Sequence, residues 1–252
     1  MTNILLCGCN GKMGRAVTAC AATRDDCQIV AGIDLNTAAT AGYPVFADPA
    51  SCTVDADVIV DFSHPSCLSD VLSLAVARGI PAVICTTGLS DDQIAQIHET
   101  ARTVPMFFSA NMSLGVSLLA ELCKKAATVL GNSFDVEIIE RHHNQKLDAP
   151  SGTALMLAEA VRDGLTYEPN YVFDRHAVRQ KRDPHEIGFS AVRGGTIVGE
   201  HEVLFAGHEE CLSLIHRAQS KEVFAAGALN AALFMKAQPT GLYSMKELVA
   251  QA

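Results

Sequence analysis

Two histidines, a lysine and an arginine crowd into the six residues Arg141-His142-His143-Asn144-Gln145-Lys146. Such a cluster can neutralise carboxylates, and its imidazoles can give or take a proton near neutral pH. Immediately downstream, Pro150-Ser151-Gly152-Thr153 opens a helical pattern over residues 154–162. There Gly152 allows close approach of a ligand, and the amides of Gly152 and Thr153 at a helix start can bind an oxyanion. Read alone, the segment also fits a solvated polar loop followed by an ordinary Ser or Thr cap. A metal site fits less well, because lysine is a poor ligand and no third histidine has suitable spacing. The adjoining helix start favours recognition of an anionic substrate.

A second constellation lies near the start of the chain. An apolar run over residues 4–7 passes into Gly8-Cys9-Asn10-Gly11-Lys12-Met13-Gly14 and then into a helical pattern. Glycines let the backbone turn sharply and approach a pyrophosphate, while the helix N-terminus supplies N–H groups and partial positive charge. The spacing is GxxGxxG rather than the commoner GxGxxG, and a glycine-rich turn that binds no nucleotide can carry the same letters. Asp34 ends the second strand pattern, 20 residues beyond Gly14. A carboxylate there can accept hydrogen bonds from both ribose hydroxyls of an adenosine. Its charge repels a 2′-phosphate, and Leu35-Asn36-Thr37 bring no offsetting cation. NADH is therefore expected over NADPH, with Lys12 and Arg15 near enough in sequence to leave NADPH possible.

Positioning these groups requires two kinds of scaffold. Up to residue 109, short apolar runs at 4–7, 28–33, 58–61, 82–85 and 106–109 alternate with helical patterns at 12–22, 65–78 and 90–103. Pro65 and Ser90 are suitable helix starts. Strand–helix–strand order with continuous apolar strands predicts a parallel sheet covered on both faces. Ligands of such sheets sit beyond the strand C-termini, which places 61–64, 85–88 and 109–112 on the cofactor side. After Asn111 the rhythm changes to a long helical pattern at 114–130, a strand at 135–141, and three consecutive strand-like runs between 187 and 218. Turns are expected at Gly194-Gly195 and Gly207-His208-Glu209. The tail, 223–235 and 245–250, is helical again.

The expected class is thus α/β: a Rossmann-type dinucleotide-binding domain over 1–112, completed by 221–252. A second, α+β domain with a mostly antiparallel or mixed sheet spans 113–220.

Composition narrows the partners. The 252 residues are 49% apolar and 19% charged, with a net charge of −9. A general electrostatic grip on nucleic acid or an anionic membrane is not expected from so acidic a chain. The nine cysteines are scattered without a CxxC pair, which reads as reduced thiols used as small core residues, with no metal site. No basic n-region precedes an apolar stretch and no run is long enough to span a bilayer, so the cytosol is the default location. The remaining histidines, His64, His98, His176, His185, His201, His208 and His216, are read as surface or structural.

The run Glu137-Ile138-Ile139-Glu140-Arg141-His142-His143-Asn144-Gln145-Lys146-Leu147-Asp148-Ala149-Pro150-Ser151-Gly152-Thr153-Ala154 resembles the signature of the 4-hydroxy-tetrahydrodipicolinate (dihydrodipicolinate) reductases. The resemblance extends through Gly8–Gly14, 61–63, 86–88, 111–116, Arg193-Gly194-Gly195 and 198–201 to Gly241-Leu242-Tyr243. It implies an NAD(P)H-dependent reductase of lysine (diaminopimelate) biosynthesis acting on a small cyclic dicarboxylate. His142 would be the general acid–base and Lys146 a second proton donor that also contacts substrate. His143 would hold one carboxylate, and Gly152 with Thr153 the other. Cofactor contacts would fall on Gly8, Cys9, Asn10, Gly11, Lys12 and Met13, and on Asp34. Further contacts would come from Cys85, Thr86 and Thr87, and from Ser109, Ala110, Asn111 and Met112. The resemblance also implies a homotetramer assembled through the sheet of the second domain. Leu35 stands where dual-specificity members carry a basic residue, in keeping with NADH.

Overall fold

The computed structural model describes residues 1–38, 41–109 and 111–251. The chain divides into two compact units, one of Met1–Leu114 with Lys221–Ala252 and one of Gly115–Ser220. The first unit opens with β1 (Thr2–Cys7), α1 (Lys12–Ala21), β2 (Cys27–Ile33), β3 (Val45–Phe46) and β4 (Val58–Asp61). It continues through α2 (Leu68–Arg78), β5 (Ala82–Ile84), α3 (Asp91–Thr100) and β6 (Met106–Phe108). The second unit holds α4 (Leu114–Leu130), β7 (Asp135–His142), α5 (Gly152–Arg162), β8 (Asn170–Val172), β9 (Glu186–Arg193), β10 (Gly199–Ala206) and β11 (Cys211–Ala218). The chain then returns to the first unit as α6 (Glu222–Met235), β12 (Leu242–Tyr243) and α7 (Met245–Ala250).

The first sheet has the order β12-β6-β5-β4-β1-β2-β3, and every pairing in it is parallel. Successive strand residues point to opposite faces, so a sheet covered on both sides builds two cores. Ile4, Leu6, Val58, Val60, Val83 and Phe107 share one core with α1 and α6. Leu5, Cys7, Ile59, Ala82, Ile84 and Met106 share the other with α2 and α3. Local signals set the helix ends. Ser90 and Gln93 form a reciprocal capping box at α3, and Gly79 closes α2 in the left-handed region at φ +63°.

In the second unit the sheet order is β11-β10-β7-β9-β8. β7 runs antiparallel to β10 and parallel to β9, which makes the sheet mixed. α4 and α5 cover one face of it, burying Val136, Ile138, Ile187, Val203 and Phe205 with Leu119, Cys123, Leu157 and Val161. β3, β8 and β12 were not expected; at two or three residues each they are too short to show an alternation. β7 runs one residue beyond its expected end and takes in His142. Six of the nine cysteines are buried as free thiols. Among the described residues no helix is long and apolar enough to cross a membrane.

The turn after β1 depends on close backbone packing. Gly8 has φ +73°, and a Cβ there would stand 2.6 Å from the Phe62 carbonyl oxygen. A Cβ on Gly14 would lie 2.2 Å from the Gly8 carbonyl oxygen. Gly14→Ala should therefore lower the urea midpoint by an amount equivalent to about 1–3 kcal/mol. Gly152→Ala, whose methyl would meet nothing within 4 Å, should leave the midpoint unchanged. Equal midpoints for Gly14→Ala and wild type would refute the tight loop–helix contact.

Candidate functional site

Along β7 the helix-facing side chains are Val136, Ile138, Glu140 and His142, all buried. This face thus changes from aliphatic to polar at the C-terminal end of the strand. The neighbouring strands bring matching polar groups there, because His201 of β10 pairs in register with Glu140 and Arg193 of β9 with His142. Glu140 is 1% exposed, yet every direction open to its carboxylate is answered. Arg193 donates from Nη1 to Oε2 and from Nη2 to Oε1, both at 2.7 Å. The Ser151 amide donates to Oε1 at 3.1 Å, and His142 Nδ1 lies 2.6 Å from Oε2. Burial opposes ionisation of Glu140, but these bonds to Arg193 and His142 hold its pKa below the ordinary glutamate value.

His201 completes the cluster. Its Nε2 lies 2.8 Å from Ser151 Oγ, and its ring meets His142 edge-on with centroids 5.1 Å apart. Burial, with the charge of His142 as the next cause, pushes its pKa down to about 4. At neutral pH this second imidazole is therefore uncharged. Gly199 lies at the far side of His142, where a Cβ would stand only 3.1 Å from Nε2.

The loop after β7 carries His143 and Lys146. It is tied down by Asn144 N on the Gly195 carbonyl at 3.2 Å and by Arg193 Nη2 on the Asp148 carbonyl at 2.6 Å. His143 is half-buried, and its carbonyl accepts from the Lys146 amide at 3.2 Å. The half-buried Lys146 Nζ pairs with Asp148 Oδ1 at 2.8 Å. The loop ends in a cis Ala149–Pro150 bond and the start of α5. Ser151 Oγ caps α5 by accepting from Ala154 N at 3.2 Å, while exposed Gly152 and half-buried Thr153 form the first turn.

Not every cation of the motif arrives here. Arg141 alternates to the opposite face of β7, where it approaches Glu200 at 3.7 Å and Glu202 at 3.6 Å. The cationic cluster expected from the sequence is thus smaller, and Arg193 and Lys146 are each paired with a carboxylate. Glu140, Arg193 and His201 were not singled out for roles. The Glu140-x-His142 alternation was a readable signal for Glu140, but the other two depend on strand register.

In the first unit, the Gly8–Gly14 turn and Asp34 meet directly. Asp34 Oδ2 accepts from Asn10 N at 2.9 Å and Oδ1 from Asn36 N at 3.0 Å. Asn10 Nδ2 reaches the carbonyls of Asn36 at 2.5 Å and Ala38 at 3.0 Å, and Arg15 Nε donates to the Asn10 carbonyl at 2.9 Å. Gly11 and Lys12 lie exposed at the start of α1. Cys9 turns its thiol inward, where a Cβ on Gly32 would stand 2.4 Å from Sγ. Burial, and secondarily Asp34, push that thiol's pKa up to about 11.

Met13, Cys85, Thr86, Thr87 and Met112 line a cavity of about 320 Å³ in this unit. Phe62, Ser63 and Phe224 complete its wall. Asp61 lies beneath it, wholly buried; burial raises its pKa even though it accepts from Thr86 Oγ1 at 2.7 Å and Ser63 N at 3.0 Å. Ser109 Oγ donates to the Asn111 carbonyl at 2.7 Å, and Asn111 Oδ1 accepts from Ser113 N at 2.9 Å. Ala110 lies outside the described residues. Phe224 comes from α6, more than 100 residues further along the chain, and no local pattern marks it. A glycine turn at positive φ, an acid at the second strand end and this cavity together fit a dinucleotide. Among the described residues no group of three or more His, Cys, Asp or Glu could hold a metal ion.

Residues 2–112 match the model of the dihydrodipicolinate reductase N-terminus and residues 115–249 that of its C-terminus. The chain is 46% identical over 245 residues to a 4-hydroxy-tetrahydrodipicolinate reductase of Clostridium tetani, covering 97% of this chain and 96% of the relative. It is 47% identical over 249 residues to one of Caldanaerobacter subterraneus subsp. tengcongensis, covering 99% and 98%. Among solved structures it is similar to a dipicolinate-bound dihydrodipicolinate reductase from Paenisporosarcina sp. TG-14, with TM-score 0.80, 25% identity and 97% of each chain covered. The chain belongs to the dihydrodipicolinate reductase family, a family of pyridine-nucleotide-dependent reductases.

Proposed function

We propose that the chain reduces 4-hydroxy-tetrahydrodipicolinate, or its dehydrated form dihydrodipicolinate, to tetrahydrodipicolinate on the route to diaminopimelate and lysine. The observation that carries this reading is the buried His142, tied at Nδ1 to Glu140 and flanked at Nε2 by the side-chain-free Gly199. A reduced nicotinamide, when bound, supplies the hydride. Residues 1–112 with 221–252 are assigned to the dinucleotide, and residues 113–220 to substrate and assembly.

His142 holds the proton that the substrate takes up, directly or through a water, as negative charge builds on the ring. Two carboxylates need two anchors. Gly152 and Thr153 offer backbone amides and the positive end of α5 to one, and Gly152 leaves room for close approach. His143 and Lys146 meet the other; Lys146 exchanges Asp148 for the substrate and serves as a second proton donor. The dipicolinate bound by the Paenisporosarcina relative has the same pair of carboxylates. Fixing the ring in this way supplies much of the rate enhancement, since positioning removes an entropic cost from the chemical step.

The cofactor is held by the Gly8–Met13 turn, Asp34, Cys85–Thr87 and residues 109–112. NADH is preferred. Asp34 is bound to two backbone amides but retains acceptor capacity for ribose hydroxyls, and the neighbouring Leu35 is 89% exposed without bringing a cation. The protein works in the cytosol as a homotetramer, associating through the helix-free face of the second sheet, where Val192 and Ile215 are exposed.

His142→Gln should cut kcat by about 10²–10⁴-fold while leaving NADH affinity intact; unchanged turnover would remove the proton-donor role. Asp34→Ala should raise the KM for NADH about tenfold or more, as expected when a hydrogen bond to a charged group worth about 1.5–3 kcal/mol is lost. The KM for NADPH should not rise with it, and an unaltered NADH-to-NADPH ratio would contradict the assignment of Asp34.

A further inference from the structure

We infer that Glu140 is a positioning residue for the reaction: clamped by Arg193, it fixes His142 in the tautomer that leaves Nε2 as the proton-transferring atom. The inference rests on the proton-donor role proposed for His142 and adds the device that makes that role specific to one nitrogen.

Three observations carry it. Glu140 Oε2 lies 2.6 Å from His142 Nδ1, so an ionised Glu140 requires the proton on Nδ1. Arg193 grips both carboxylate oxygens at 2.7 Å, and Ser151 N adds a third bond, so the carboxylate can neither rotate away nor readily take the proton itself. Gly199 flanks Nε2 without a side chain. When protonated His142 gives up a proton, the one on Nδ1 is held by Glu140 and the one on Nε2 leaves. The imidazolium becomes neutral imidazole, the substrate gains the proton, and Glu140 stays ionised throughout. This is the division of labour between a histidine base and its orienting carboxylate in hydrolytic triads.

The charged and titratable groups around His142 come from each element packed on it. They are Glu140 on its own strand, Arg193 on β9, His201 on β10 with His216 of β11 behind it, and Lys146 and Asp148 on the following loop. Of these, Glu140 touches the ring nitrogen and carries negative charge.

The test combines two readouts. The first is 15N NMR of the ligand-free full chain labelled at histidine. In its neutral form, His142 should carry its proton on Nδ1. The second is kcat and KM for wild type, Glu140→Gln and Glu140→Asp. Glu140→Gln should lower kcat by up to about 10⁴-fold, the loss seen in hydrolytic triads when the orienting carboxylate is replaced by its amide. Its KM values should be unchanged. Glu140→Asp, which keeps the charge but shortens its reach, should recover part of kcat. A neutral His142 protonated on Nε2, or a Glu140→Gln enzyme with wild-type kcat, overturns the inference. The NMR result decides the matter even if Glu140→Gln does not fold. Wild-type turnover in His142→Gln would instead defeat the proton-donor reading itself.

Discussion

The second unit is organised around one buried carboxylate. Glu140 sits where aliphatic packing gives way to polar groups, and a charge in such a place is tolerated only if fully bonded. Its partners come from three separate elements: Arg193 from β9, Ser151 from the start of α5, and His142 from β7 itself. Satisfying that carboxylate therefore fixes the register of β9, the entry of α5 and the plane of the His142 ring together. A one-residue slip of β9 would turn Arg193 to the opposite face and leave the charge unanswered. Removing one partner from a buried ion pair costs about 3–5 kcal/mol in general, which makes such an arrangement strongly self-selecting.

The same constraint bears on the proposed site for an anion in an acidic chain. Arg193 is committed to Glu140, and Lys146 rests on Asp148. The groups proposed to meet the ligand are the start of α5, the histidines and a lysine whose partner is exposed. His201 is held neutral by burial, so it supports Ser151 and the flank of His142 without adding a repelling charge. The first unit follows a similar logic with the opposite emphasis. Glycine packing forms the turn after β1, and Asp34 fastens that turn to the segment following β2 through Asn10 and Asn36.

Features confined to one stretch of chain were legible in the sequence. The glycine turn, the acid ending β2, the His-His-x-x-Lys segment and the Ser151 cap each declare themselves through local spacing. The alternating order of strands and helices likewise gave the parallel sheet. What escaped was everything set by pairing between distant strands. Arg193 and His201 reach Glu140 through the registers β7–β9 and β7–β10, which no local pattern encodes. Arg141 looked like part of the cationic cluster until strand alternation sent it to the other face. Phe224 enters the cavity wall from a helix far along the chain. The short strands β3, β8 and β12 carry too few residues to announce a period.

The start of α5 and the Glu140-oriented His142 are proposed to form one dicarboxylate site. A crystal structure of the full chain with NADH and dipicolinate tests it most directly. One carboxylate should lie within hydrogen-bond distance of the Gly152 and Thr153 amides, with His142 Nε2 facing the ring. Dipicolinate bound elsewhere, with the start of α5 and His142 left to solvent, would rule that site out.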